Sequence, residues 1–127
     1  LDGRARMALK RVGLEKRAND DPFELSQGQR QKLAIASVLA MGPDLILLDE
    51  PTSSLDHRAG LEIYDILRGL SLEGKSLMVV EHNTDYLARL GSKYLVLNDG
   101  RQIAYGGSEV FKNREVSECG VRVPCVR

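Results

Sequence analysis

The sequence is poor in the features that commit a chain to an oxidising or membrane-embedded setting. Only two of its 127 residues are cysteines, Cys119 and Cys125, both near the carboxyl end. Two late cysteines make no disulfide framework. No histidine accompanies them, and Cys-x5-Cys is not a usual zinc spacing, so free thiols are expected. No apolar run approaches the ~18 residues of a membrane span, and no signal-peptide pattern is visible. Charge of one sign is also missing: 18 lysines and arginines balance 18 aspartates and glutamates. No net field therefore draws the chain toward nucleic acid or an anionic membrane. There is no internal repeat and no low-complexity segment. What remains can bury one modest core, and a reduced, cytoplasmic chain is the simplest expectation.

The apolar pattern predicts helices and strands in alternation. Leu1 to Arg17 reads as a helix with a basic outer face (Arg4, Arg6, Lys10, Arg11, Lys16, Arg17). Met7, Val12 and, after a cap at Gly13, Leu14 are expected to face inward. Asn19 to Pro22 is a turn. Ser26 stands where an N-cap belongs and Gln29 lies three residues on, which predicts a capping box. The helix it opens runs to Ala40 and stops at Gly42-Pro43. Leu45 to Leu48 is a continuous apolar run, as in a parallel strand buried on both faces. Pro51 to Asp56 is a loop and His57 to about Leu70 a helix. Leu77 to Val80 is a second strand, ending at Glu81-His82. Asn83 caps a short helix through Arg89. Tyr94 to Leu97 and Arg101 to Tyr105 form an antiparallel hairpin around Asn98-Asp99-Gly100. Ser108 to Phe111 starts a last short helix, and the tail after Lys112 has no clear period. The expected fold class is α/β: a mostly parallel sheet with flanking helices and a terminal antiparallel hairpin.

Two places on this scaffold suit phosphate chemistry. A helix start at Ser26-Gln27-Gly28-Gln29 offers unpaired N–H groups and the positive end of the helix dipole. Gly28 lets a ligand approach the backbone closely. Asp49 and Glu50 fall at the carboxyl end of a strand, where open α/β sheets hold their ligands. Asp56 is placed to cap the helix from His57.

One motif match misleads. Gly69-Leu-Ser-Leu-Glu-Gly74-Lys75-Ser76 fits the phosphate-loop pattern G-x-x-x-x-G-K-S letter for letter. Such a loop must follow a strand and open a helix. Here a helix precedes and a strand follows, so a helix-to-strand turn is expected instead.

The order Leu25-Ser-Gln-Gly-Gln29, Leu45-Ile-Leu-Leu-Asp-Glu50, Ser53-Ser-Leu-Asp56 and Glu81-His82 resembles an ATP-binding-cassette (ABC) ATPase. The resemblance covers roughly Pro22 to Phe111. It implies a P-loop NTPase fold, ATP and Mg²⁺ as ligands, and the roles of signature motif, Walker B strand, D-loop and switch histidine for these four segments. Asp49 would then hold Mg²⁺ and Glu50 act as general base. His82 would contact the γ-phosphate. Ser26, Gln27, Gly28 and Gln29, with Ser54 and Asp56, would meet ATP held by a second cassette. Gln27 stands where family members usually have Gly. The resemblance implies a P-loop ahead of Leu1, which makes these residues the carboxyl-terminal part of a longer cassette, inactive alone. Residues 1–111 would be a partial ATPase domain: the end of its helical subdomain over about 1–41, its catalytic subdomain over 42–111. Residues 112–127 would begin a carboxyl-terminal extension or disordered tail.

The stretch from Pro22 through Gly106-Gly-Ser-Glu-Val-Phe111, and Glu118 to Pro124 after it, is most similar to the energy-coupling-factor branch. That branch implies a second ATPase subunit in a homo- or heterodimer, a transmembrane coupling subunit, and import of vitamins or metal ions at the cytoplasmic face of the cell membrane. No nucleic-acid partner is expected. The rival expectations are a soluble ABC ATPase of DNA repair or translation, and an inactive fragment or interaction module.

Overall fold

The computed structural model describes residues 2–125, so the first residue of the expected first helix lies outside it. It forms two compact units, one ending at Val80 and the other starting at Glu81. The fold is α/β, with one parallel strand pair and one antiparallel hairpin.

In the first unit, α1 (Gly3–Arg11) ends earlier than its charge pattern suggests. Gly13 adopts φ +74°, which reverses the chain into a 3-10 turn over Glu15–Arg17. Val12 and Leu14 are buried as expected, but Met7 is 61 % exposed. The buried stripe of α1 is Ala8 and Leu9, which share a face with Val12 at helical spacing; Met7 sits about 100° away from Ala8. A second 3-10 turn, Pro22–Glu24, starts at Asp21, whose carboxylate accepts the Phe23 N–H. Then come α2 (Gln27–Ala40), β1 (Leu45–Asp49), α3 (His57–Leu72) and β2 (Ser76–Val80). Gly60, Ile63, Tyr64, Leu67 and Leu70 form the buried face of α3, at the i, i+3, i+4, i+7 spacing of an amphipathic helix.

β1 and β2 pair in parallel from Leu45 with Ser76 to Asp49 with Val80, and α3 is their crossover. Burial on both faces is not observed. Ile46 is buried, while Leu45 and Leu47 are 55 % and 67 % exposed. Successive side chains of a strand point to opposite faces, so only one face of β1 is covered among the described residues.

In the second unit, α4 (Thr84–Leu90) is capped by Asn83, whose side chain accepts the Asp85 N–H. β3 (Tyr94–Asn98) and β4 (Arg101–Gly106) form the hairpin. Its two turn residues, Asp99 and Gly100, both have positive φ, the type I′ geometry that suits strand twist. Tyr94, Val96, Val110, Phe111 and Val116 make the core. The Tyr94 and Phe111 rings meet edge to face at 4.8 Å, and the Tyr94 hydroxyl donates to the Gly91 carbonyl at 2.7 Å. Burial pushes the Tyr94 phenol up from its ordinary value. Beyond Lys112 a short helix, α5 (Arg114–Glu118), buries Val116 completely. Five residues are too few for their periodicity to be legible in advance.

Candidate functional site

The start of α2 is built by its own sequence. The Ser26 Oγ accepts the Gln29 N–H at 3.3 Å, and the Gln29 Oε1 accepts the Ser26 N–H at 3.0 Å. Both halves of the predicted capping box are present. At the start of α3, the Asp56 carboxylate accepts the Ala59 N–H at 2.8 Å. A cap satisfies some of the four orphan donors of a helix start; the others are left for water or an anion.

These two helix starts are packed together. A Cβ on Gly28 would come 3.3 Å from the Ala59 methyl, tighter than ordinary contact, so glycine permits the approach. One turn further along each helix, Lys32 Nζ meets Glu62 at 2.6 Å. Between the helix starts lies a cleft of about 300 Å³. Ser26, Gln27, Gly28, Gln29 and Lys32 line it from α2 and its cap; Ser54, Leu55, Asp56, Ala59 and Glu62 line it from the loop and α3. The structure thus gathers six of the nine residues singled out in the sequence. It adds Lys32 and Glu62, which no local motif pairs because 30 positions separate them. The Lys32 ammonium holds the Glu62 carboxyl below the usual carboxylate range, first by its hydrogen bond and then by its charge.

Asp49, Glu50 and His82 do not line this cleft. Asp49 ends β1 with its side chain exposed. Glu50 continues the ladder, its N–H donating to the Val80 carbonyl at 2.9 Å, but it has φ +44°. A left-handed conformation in a non-glycine residue costs about 1 kcal/mol or more, and such strain gathers at functional sites. It turns the chain sharply after the strand, and buried Pro51 and Thr52 hold the turn. Among the described residues no three His, Cys, Asp or Glu side chains cluster as a metal site. A single exposed carboxylate still fits Mg²⁺, which is commonly held by one or two carboxylates, with waters and phosphate oxygens filling its shell. His82 is exposed in the second unit, and its N–H and that of Asn83 both donate to Glu81 Oε1.

Lys75 is accounted for elsewhere. It follows Gly74, at φ +89°, in the turn from α3 to β2. Its ammonium donates to the Pro43 carbonyl at 2.7 Å and lies 3.8 Å from Asp44. The apparent phosphate loop is a helix-to-strand turn.

The cleft lies between two helix starts of an α/β fold whose first strand ends in adjacent acids. Comparisons with known proteins place that fold. The sequence-family model described as ABC transporter matches residues 1–53. The energy-coupling factor transporter ATP-binding protein EcfA of Carboxydothermus hydrogenoformans is 40 % identical over 122 residues, which are 95 % of this chain and 45 % of EcfA. The structure of cbiO1 from Clostridium perfringens, part of the ABC transporter complex cbiONQ, superposes with a TM-score of 0.80 at 36 % identity, over 91 % of this chain and 47 % of that one. A dimeric ATP-binding cassette in a post-hydrolysis state, bound to ADP and Pi, superposes at 0.70 with 37 % identity, over 84 % of this chain and 49 % of that one. By sequence and fold the chain is similar to the ABC transporter ATP-binding proteins. It spans about half the length of the relatives it matches.

Proposed function

We propose that this chain acts as the carboxyl-terminal part of the nucleotide-binding subunit of an ABC transporter, and that the assembled subunit binds and hydrolyses ATP. The observation that carries this reading is the convergence of two capped helix starts, at Ser26 and Asp56, on one cleft. Two positive dipole ends and a glycine backbone suit the terminal phosphate of a nucleotide. That phosphate would be held by a second cassette, as the dimeric ADP- and Pi-bound relative supports. Ser26 and the Gly28 amide would contact it, with Gln27 and Gln29 at the same edge and Ser54 and Asp56 at the other. Glu50 would take a proton from the attacking water. His82 would orient the phosphate. Asp49 would hold Mg²⁺, which when bound neutralises charge on the phosphate oxygens.

The energy-coupling-factor type is the branch we favour, with a transmembrane coupling subunit and a vitamin or metal ion as cargo. The names of two relatives, EcfA and a component of cbiONQ, support it. The subunit would sit at the cytoplasmic face of the membrane; among the described residues no helix is long and apolar enough to cross one.

The test is a mixed dimer of the assembled ATPase. Ser26→Arg puts bulk and charge into the cleft. Paired with a P-loop knockout on the same subunit, it should disable two sites; placed on the opposite subunit, it should disable one. Equal residual activity for both arrangements rejects action across the dimer.

A further inference from the structure

The cleft has two edges that come from different parts of the chain. Ser26–Gln29 opens α2, Ser54–Asp56 precedes α3, and β1 intervenes between them. Their separation is therefore set by packing between α2 and α3. Two contacts are stacked there. Gly28 approaches Ala59 closely at the first turn, and Lys32 meets Glu62 one turn later. The Lys32 side chain is only 19 % exposed, so its ammonium is held within the cleft wall, while Glu62 is 46 % exposed. Arg58 adds a looser contact to Glu62 at 3.7 Å from the same helix, with 92 % of its own side chain exposed. Asp56 is the other acid whose charge acts on Glu62. Partly exposed pairs of this kind contribute little to stability. Their effect on geometry is larger: a 2.6 Å hydrogen bond from the Lys32 side chain to the Glu62 carboxylate fixes one helix against the other.

We propose that the Lys32–Glu62 pair, together with the Gly28–Ala59 contact, is a positioning strut that makes the Ser26–Gln29 and Ser54–Asp56 edges move as one unit onto a bound phosphate. It rests on the phosphate-binding reading of the cleft. Both residues line the cleft, but the effect proposed here is on its shape. Each acts through the helix it belongs to, holding the two helix starts at the spacing that lets both face the same oxygen atoms.

The pair itself is tested on this chain. Glu62 titration is followed by NMR in the parent and in Lys32→Met. Removing Lys32 should return the Glu62 carboxyl to the ordinary carboxylate range. If the parent already titrates there, the pair does not form and the strut is overturned, whatever the cleft binds. Its role is tested in the assembled ATPase dimer, with thermal unfolding measured on every variant. Lys32→Met and Glu62→Gln should each lower kcat about 10-fold while leaving KM for ATP within a few-fold, the pattern of lost positioning. Lys32→Arg should keep most of the activity. The reversed pair, Lys32→Glu with Glu62→Lys, should recover most of the loss. Parental kcat in both single variants, or a reversed pair no better than either single, overturns the proposal. Ser26→Arg serves as the reference: if it abolishes activity while Lys32→Met does not lower it, the strut fails and the cleft's function stands. If Ser26→Arg leaves activity intact, the phosphate-binding reading is what fails.

Discussion

Lys75 donates to the carbonyl of Pro43 at 2.7 Å, tying the turn before β2 to the turn before β1. The two strands it braces are those that pair in parallel, so the lysine steadies the register at its open end. A hydrogen bond from a charged donor contributes about 1–2 kcal/mol net, less where it is partly exposed. Lys75→Met should destabilise the chain by about 1 kcal/mol in urea unfolding. It should leave nucleotide binding as it was. Calorimetry with Mg²⁺ and ATP should find no micromolar binding to this chain, with or without Lys75; tight binding lost in Lys75→Met would restore the phosphate-loop reading.

Glu50 and Asp49 are adjacent yet separable. In the proposed assembled ATPase, Glu50→Gln keeps the shape and removes the proposed base. It should slow hydrolysis by about 10²–10⁴-fold with ATP binding retained. Asp49→Asn should instead shift the Mg²⁺ dependence, which a titration of activity against Mg²⁺ concentration reads directly. Hydrolysis by Glu50→Gln at the parental rate would remove Glu50 from the role of base.

Glu62 predicts a pH dependence of stability with a definite sign. Its carboxyl titrates lower in the folded chain than unfolded, because Lys32 hydrogen-bonds and then attracts its ionised form. Stabilisation is therefore complete above the unfolded-state pKa and is lost as pH falls through the folded value. Glu62 is half exposed, so solvent screening limits the effect to well under 1 kcal/mol. Glu109 is shifted the same way by its own N–H and that of Gly107, and it is common to both proteins compared. The parent should exceed Glu62→Gln in urea midpoint near pH 6, and the gap should narrow as pH falls through the lowered folded-state value of Glu62.

Gly28→Ala separates stability from geometry. Alanine favours a helix by up to about 1 kcal/mol over glycine. The added methyl would meet Ala59 at 3.3 Å, so α2 and α3 must yield by a few tenths of an ångström. The melting temperature should change little, while the ATPase activity of the proposed assembled dimer should fall several-fold. A variant with full activity would show that the cleft tolerates that displacement.

Much of this architecture was legible because its signals are local. Ser26 with Gln29, Asp56 before His57, Asn83 before Thr84, and Asp99-Gly100 each specify a cap or turn through side chains within three residues. The misreadings are all matters of longer range. Met7 lies in an apolar pattern, but which stripe is buried depends on what packs against α1. Leu45 and Leu47 read as interior because a continuous apolar run carries no information about which face has a neighbour. Val116 is fully buried in a helix too short to display a period. Lys32 and Glu62 could be seen separately as helix residues; only the packing of α2 on α3 makes them partners.

The pairing of Leu45 with Ser76 also bears on how the chain reaches its fold. The first ladder contact between β1 and β2 can form only after the whole of α3 has been spanned, and the entropy of closing that loop comes before any gain from the ladder. α3 carries its own start signal at Asp56 and its own apolar stripe, so it can organise locally and shorten the gap. Folding of this unit should therefore be limited by crossover closure and not by helix formation, as expected where parallel strands are joined over a long connection.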